Sequence, residues 1–341
     1  MGPEKEVTIY DLARQLKISV ATISRALKDD PVVSKKTKKR IVDLAEEMGY
    51  RSNHFARNLR SQRTHMIGVI IPRVNSYFMS TVIAGIEKVT NEAGYHLIIS
   101  QSSESVKKEM ENVKTMFNNR VDGLLVSLAY DTADVTHFEL FSRRHIPFIF
   151  FDRVTDDNRW TNILIDNRKA GYEVTTHLIA QGCRRIVHIT AESAQKVYKD
   201  RLAGYRQALE EHNLPFRKEY VISGNLTPEA GAEAAARIQS MKQRPDGVFV
   251  ANDNCAVACL LALKQEGVRI PADIAFAGFN NDPVSTVVEP NLTTVNYPGY
   301  EMGVIAARNL IQHLNGLSSI DATNTILLKS DLVIRASSMR K

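Results

Sequence analysis

Arg25 closes the run Ser19-Val20-Ala21-Thr22-Ile23-Ser24-Arg25. A guanidinium can pair bidentately with the edge of guanine, and small apolar side chains such as Val20 and Ala21 can meet thymine methyls. The hydroxyls of Ser19, Thr22, Ser24, Ser34 and Thr37 can hold phosphate oxygens, which fixes register without reading sequence. A second set of candidates stands at the ends of apolar runs. Asp152 closes Ile149-Phe150-Phe151, and Asn252 and Asp253 close Val248-Phe249-Val250-Ala251. Tyr77 and Phe78 follow the apolar run that begins at Met66 and offer faces for stacking on an apolar ring. Each also has a plainer role open to it. Asp253 can cap a helix starting at Asn254, and the two aromatics can belong to a core.

Such residues need elements to position them. Thr8 can N-cap a first helix, and Asp11 completes a capping box, with Ile9, Leu12, Ala13 and Leu16 at helical spacing. Lys17-Ile18-Ser19 reads as a short turn. Ser19 can cap a second helix from Val20 to Leu27, Ser34 a third from Lys35 to Met48, and Gly49 supplies a left-handed stop. Helix, short turn and capped helix make the helix-turn-helix pattern, whose second helix enters the major groove of DNA. A small helical bundle with no DNA partner would show the same spacing, so charge has to arbitrate. The 341 residues carry a net +6. Residues 1–63 hold 14 Lys/Arg against 8 Asp/Glu, and the remainder holds 30 of each. The whole excess lies in the head, which points to a polyanion partner there.

Behind the head, strand-like apolar runs alternate with helical patterns. Strands are expected at Met66–Pro72, Tyr95–Ser100, Val121–Leu128 and Ile146–Asp152, with helices near Met79–Ala93 and Val106–Phe117. A second series has a helix near Val174–Ala180 and strands at Ile186–Thr190, Tyr220–Ser223, Gly247–Ala251 and Ile274–Gly278. Continuous apolar strands separated by amphipathic helices imply parallel sheets covered on both faces. Two such series imply two doubly wound lobes. Ligands meet these sheets at the carboxyl ends of strands, and two facing lobes can close on a ligand by hinge motion.

Several of these segments resemble the lactose/galactose repressor (LacI/GalR) family. In the head they are Val7-Thr-Ile-Tyr-Asp-Leu-Ala13, Ile18-Ser-Val-Ala-Thr-Ile-Ser-Arg-Ala-Leu27, Val33-Ser34, Thr37 and Met48-Gly-Tyr50. In the body they are Asp166-Asn-Arg-Lys-Ala-Gly171, Arg201-Leu-Ala-Gly-Tyr205, Val250-Ala-Asn-Asp253, Gly278-Phe-Asn-Asn-Asp282, Glu289-Pro-Asn-Leu-Thr-Thr-Val295 and Leu332-Val-Ile-Arg-Ala-Ser337. The resemblance implies an all-α helix-turn-helix head at 1–51, a hinge helix at 52–62, and an α/β two-lobed core like periplasmic binding proteins at 63–341. The chain would cross between lobes near Ile165, Val295 and Leu328, giving an N-lobe of 64–165 plus 296–327 and a C-lobe of 166–295 plus 328–341. It adds Thr8, Tyr10, Asn53, Ala56, Arg57 and Leu59 to the expected DNA contacts, Leu59 as an apolar wedge into the minor groove. It makes Arg201 the clamp of a small-molecule effector, since a guanidinium can hold vicinal hydroxyls or a carboxylate. Asn280 takes the place of an acid common in the family, which favours sugar acids and sugar phosphates besides sugars. Leu226 stands where an aromatic wall is frequent. The partners implied are a pseudo-palindromic double-stranded operator, the effector, and a second copy of the chain, because two half-sites call for a two-fold dimer.

The sequence is compatible with release by an inducer, with a need for a purine or other corepressor, and with activation. A transport-type sugar-binding protein would suit the core but not the basic head. An enzyme is not expected. No GxGxxG follows a strand, and GxxxxGK[ST], HExxH and GxSxG are absent. Cys183, Cys255 and Cys259 lack metal-ligand spacing and read as small buried residues, so no metal or other cofactor is expected. Residues 1–20 hold no uninterrupted apolar run, and no apolar stretch reaches membrane-spanning length, so a cytoplasmic location with no membrane contact is expected.

Overall fold

The computed structural model describes residues 7–50, 63–155, 159–192, 195–322 and 325–340. The chain divides into two compact units, Met1–Thr64 and His65–Lys341. The hinge segment, with Asn53, Ala56, Arg57 and Leu59, lies outside the described residues.

The first unit is built of α1 (Ile9–Leu16), α2 (Val20–Ala26) and α3 (Lys35–Glu47). The expected caps form. Thr8 and Asp11 make the capping box, while the side chains of Ser19 and Ser34 accept from the N–H groups of Thr22 and Thr37, each at 3.2 Å. Lys17 takes the left-handed conformation that ends α1, at φ 53°, and Gly49 follows α3 at φ 65°. Leu12, Ile23, Ala26, Val33, Ile41 and Ala45 close a small core between the three helices. Three helices this short are held by that shared core rather than by propensity.

In the second unit, β1 (Met66–Ile71), β2 (His96–Gln101), β3 (Gly123–Val126), β4 (Phe148–Phe151), β5 (Asn162–Ile165) and β11 (Thr325–Leu328) form one sheet. Its order is β11-β5-β4-β3-β1-β2, with every pair parallel. β6 (Ile186–Ala191), β7 (Val221–Gly224), β8 (Gly247–Val250) and β9 (Ala275–Ala277) form a second parallel sheet, in the order β7-β6-β8-β9. β10 (Thr294–Asn296) and β12 (Asp331–Val333) pair antiparallel beside it. Because β11 returns to the first sheet, that sheet is built from distant parts of the chain. No periodicity within 63–165 could reveal this.

Nine α-helices follow among the described residues of the second unit. α4 (Tyr77–Glu92) packs on α12 (Gly299–Leu314), α7 (Asn167–Ala180) on α8 (Lys196–Glu211), and α9 (Pro228–Gln239) on α10 (Asp253–Gln265). α5 (Val106–Asn118) covers β1 and β2, while α6 (Glu139–Ser142) and α11 (Val284–Val287) are single turns. Buried β1, β3, β4, β5, β6 and β8 account for the continuous apolar runs. The edge strands β2, β7 and β11 depart from this and are only partly buried. One apolar cluster runs through both sheets, from Ile67 and Phe151 to Phe249 and Phe279.

Candidate nucleic-acid interface and ligand site

In the first unit, Ala21 and Arg25 are exposed on one face of α2, while Ile23 and Ala26 turn into the core. Val20, Thr22 and Ser24 are half-buried, and Ser19 is exposed at the cap. Tyr10 presents its ring outward from α1, 67% exposed. Some expected phosphate donors have internal duties. Thr8 donates from its N–H and its hydroxyl to Asp11, at 2.9 and 2.6 Å. The hydroxyls of Ser19 and Thr22 lie 2.8 Å apart, as do those of Ser34 and Thr37. Each such pair keeps a lone pair or a proton for a further partner. Lys38 bonds the backbone and carboxylate of Asp29, at 2.8 and 2.6 Å, and so fixes the turn between α2 and α3.

In the second unit the strand ends converge as parallel sheets require. Asp152, at φ 58° just beyond β4, is buried; its carboxylate accepts from the Tyr297 hydroxyl at 2.7 Å and from Ser127 at 3.3 Å. Burial raises its pKa above the ordinary carboxylate value. Arg201, on α8, is equally buried. It donates Nε to Asn167 Oδ1 at 2.9 Å and Nη1 to the carbonyl of Ala251 at 3.0 Å, and lies 3.6 Å from the centre of the Phe279 ring. Burial lowers its pKa. Tyr297 ties these groups together, stacking on Phe78 at 4.4 Å while holding Asp152. Phe78 is therefore covered by a protein ring, whereas Tyr77 is 51% exposed.

Asn252, rather than Asp253, caps α10, accepting from Cys255 N at 3.1 Å. The Asp253 carboxylate braces the loop after β9 instead, accepting from Asp282 N at 2.8 Å and from Thr294 at 2.7 Å. Burial pushes its pKa up to about 7. Asn280 belongs to that loop at φ 115°, a conformation costly for a side chain larger than glycine, and its N–H bonds Val295 O at 3.0 Å. Leu226, also left-handed at φ 57°, packs against the apolar cluster of the second sheet. Asp152, Arg201 and Asn252, whose helix follows Ala251, are thus brought to one region, while Asp253 points into the supporting loop.

Several neighbours of these residues went unread in the sequence. Arg153 pairs with Glu104 at 2.5 and 3.2 Å and reaches the Tyr198 hydroxyl at 3.3 Å. Gln195 donates Nε2 to Ala129 O at 2.7 Å and Thr132 O at 2.9 Å, and the Tyr130 hydroxyl donates to Gly224 O at 3.1 Å. These three bonds join the segment after β3 to the end of β7 and the segment after β6, in the other sheet. Buried Glu109 fixes the loop that carries Tyr130, accepting from Ala129 N at 2.6 Å and Thr132 at 2.9 Å. The available signal was adjacency: Arg153 follows Asp152, Asn167 follows Asp166, and Phe279 precedes Asn280. A separate cavity of about 310 Å³ lies at the edge strands, lined by Asn162, Asp166, Lys196, Asp200, Thr325 and Leu327 among others, and holds none of the expected ligand residues.

Among the described residues, no cluster of His, Cys, Asp or Glu is arranged to hold a metal, and no helix is long and apolar enough to cross a membrane. A helix-turn-helix unit joined to a two-sheet core with a polar strand-end site defines a ligand-responsive DNA-binding protein. Residues 8–53 match the family model described as bacterial regulatory proteins, lacI family, and residues 175–338 match the periplasmic binding protein-like domain. The chain is 31% identical to catabolite control protein A of Priestia megaterium, over 91% of this chain and 93% of that protein. It is 30% identical to the HTH-type transcriptional regulator RegA of Clostridium saccharobutylicum, over 97% and 99%. Its fold is like that of the lac repressor dimer bound to operator and the anti-inducer ONPF, at TM-score 0.87 and 23% identity, covering 98% of this chain and 100% of that one. The chain belongs to the lacI family of bacterial regulatory proteins. It is a DNA-binding transcriptional regulator.

Proposed function

We propose that the chain is a cytoplasmic repressor of carbohydrate-utilisation genes whose operator affinity is switched by a small effector. The effector is a sugar, sugar acid or sugar phosphate held where the two sheets face each other. The supporting observation is the convergence of buried Asp152 and Arg201, with Asn167 and Tyr297, at strand ends of both sheets. Buried polar groups of this kind are costly unless they are used or fully paired.

The sheets correspond to the two lobes, 64–165 plus 296–327 and 166–295 plus 328–341. On the DNA side, α2 reads bases through Val20, Ala21 and Arg25, and the hydroxyls of Ser19, Thr22, Ser24, Ser34 and Thr37 position it on phosphates. Tyr10 and Thr8 add contacts from α1. The hinge, with Asn53, Ala56, Arg57 and Leu59, enters the minor groove. Two copies of the chain bind a pseudo-palindrome. The effector favours one arrangement of the core and the operator another, so each weakens or strengthens the other by the same factor.

The test has two stages. A randomised-site selection with the full chain should return a two-fold symmetric sequence. A thermal-shift panel of sugars, sugar acids and sugar phosphates should give a binder that changes gel-shift affinity for that sequence at fixed salt. A selection that yields no preferred sequence, or a binder without effect on the operator, refutes the reading.

A further inference from the structure

We propose that Arg153 selects an effector carrying an anionic group, and that Glu104 occupies the place of that group until the effector arrives. This deepens the effector reading above and rests on it.

Arg153 and Glu104 both stand just beyond strands of the first sheet, β4 and β2. Arg153 is desolvated, with its side chain only 12% exposed, and its guanidinium lies beside the neighbouring rings of Tyr130 and Tyr198, at 5.4 and 5.7 Å. Its charge partner is Glu104, bound through both terminal nitrogens at 2.5 and 3.2 Å. That forked pairing is the geometry in which a guanidinium takes any carboxylate or phosphate. Glu104 reaches it from a left-handed backbone, φ 64°, after Ser103 at φ 52°. Two successive residues with side chains in that region carry strain, which an external anion would relieve by taking over the fork. Glu104 would not be stranded, because Arg73 already contacts it at 3.4 Å.

The same region faces the expected effector residues. Tyr198, on α8, has Arg153 at 5.7 Å and Arg201 at 5.6 Å from its ring centre. A hydroxylated body held by Arg201 therefore extends its charged end toward Arg153. The local balance suits an anion: three guanidinium groups, Arg73, Arg153 and Arg201, stand against the carboxylates of Glu104 and Asp152, and Asn280 adds no charge. The shared chemistry is a carboxylate or phosphate on a polyhydroxylated body.

Isothermal titration of the full chain with D-glucuronate and D-glucose 6-phosphate, against D-glucose and inorganic phosphate, tests this. In the unaltered protein at least one anionic sugar should bind tenfold or more tightly than glucose, since a charge-assisted fork is worth that much. Arg153→Met should erase the preference. Glu104→Gln, which removes the internal competitor, should tighten the anionic sugar several-fold and leave glucose unchanged. A variant that had merely lost its structure would not gain affinity. The proposal is overturned if the preference survives Arg153→Met, if Glu104→Gln weakens the anionic sugar, or if neither anionic sugar binds. It is also overturned if inorganic phosphate matches the sugar phosphate. Arg201→Met separates the two levels, because it should abolish binding of every sugar. Binding that survives it refutes the cleft reading itself, whatever Arg153 does.

Discussion

Arg25 and Asp253 put charge to opposite uses. Arg25 is exposed and holds no side-chain hydrogen bond or ion pair among the described residues, so none of these has to be released for its guanidinium to meet a base edge. Arg25→Ala should cost about 1–3 kcal/mol at one operator position and relax selection there. An unchanged preference in a randomised-site selection would remove Arg25 from base reading. Asp253 is buried among donors, with its pKa pushed up to about 7. The folded chain then holds this proton more tightly than the unfolded chain, where an aspartate titrates near about 3.9. Its contribution to stability is fully present below about pH 4 and is lost as pH rises through about 7. His188 tilts the curve the other way. Burial pushes its pKa down to about 3, so it contributes stability that is present above its ordinary value and lost as acid protonates the unfolded chain. The comparison must therefore be a difference. The stability advantage of the unaltered protein over Asp253→Asn, from chemical unfolding, should be greatest near about pH 4 and smallest above about pH 7. An advantage that grows with pH would make the ionised carboxylate the stabilising form.

Helix packing decides where Arg201 can stand. Gly171 on α7 lies against the backbone of Arg201, and Gly204 on α8 lies against the backbone of Arg168, each so closely that an added Cβ would collide with a carbonyl oxygen. Two glycines let the helices approach until Asn167 reaches Arg201 Nε. Gly171→Ala should push them apart and cost about 1–3 kcal/mol. It should also weaken effector binding without touching any effector atom, because the backbone of Arg201 has to move. A thermal-unfolding scan and a titration on the same sample check both halves. Retained affinity at reduced stability would show that Arg201 re-seats itself. In the first unit Ser19 has the comparable role at smaller scale. It caps α2 through Thr22 N, and Ser19→Ala should cost about 1 kcal/mol of head stability.

In the second unit, buried and half-buried polar contacts join the loops of the two sheets. Gln195 reaches Ala129 and Thr132, and Tyr130 reaches Gly224. Each such bond is worth about 1 kcal/mol net, a small addition to the apolar cluster that the two sheets share. Gln195→Leu removes two of these bonds and keeps the bulk of the side chain. It should shift the core toward an open form, seen as a larger radius of gyration in small-angle scattering, and change the operator affinity of the effector-free protein. Unaltered scattering and unaltered operator affinity together would show that Gln195 is not part of the switch. Opening and closing can act on DNA only through a difference in binding between two states, and the strength of that coupling is what the experiment reads.

The sequence alone determined the caps of the first unit, the apolar runs of its partner and the place of the charge. These are local: a serine bonds an N–H three residues on, and a strand buried on both faces is apolar throughout. Strand ends are local too, which is why Asp152 and Asn252 could be picked out before any fold was known. The tertiary structure decided what those residues touch. Asp152 meets Tyr297 from 145 residues away, and Tyr130 meets Gly224 across 94. It placed β11 beside β5, gave Asp253 a loop to brace rather than a helix to cap, and set Glu104 against Arg153. No periodicity records such contacts, because they depend on how two sheets are laid against each other. The chemistry of a side chain is written at its own position, and its employment is settled by whichever distant residue the fold brings within bonding distance.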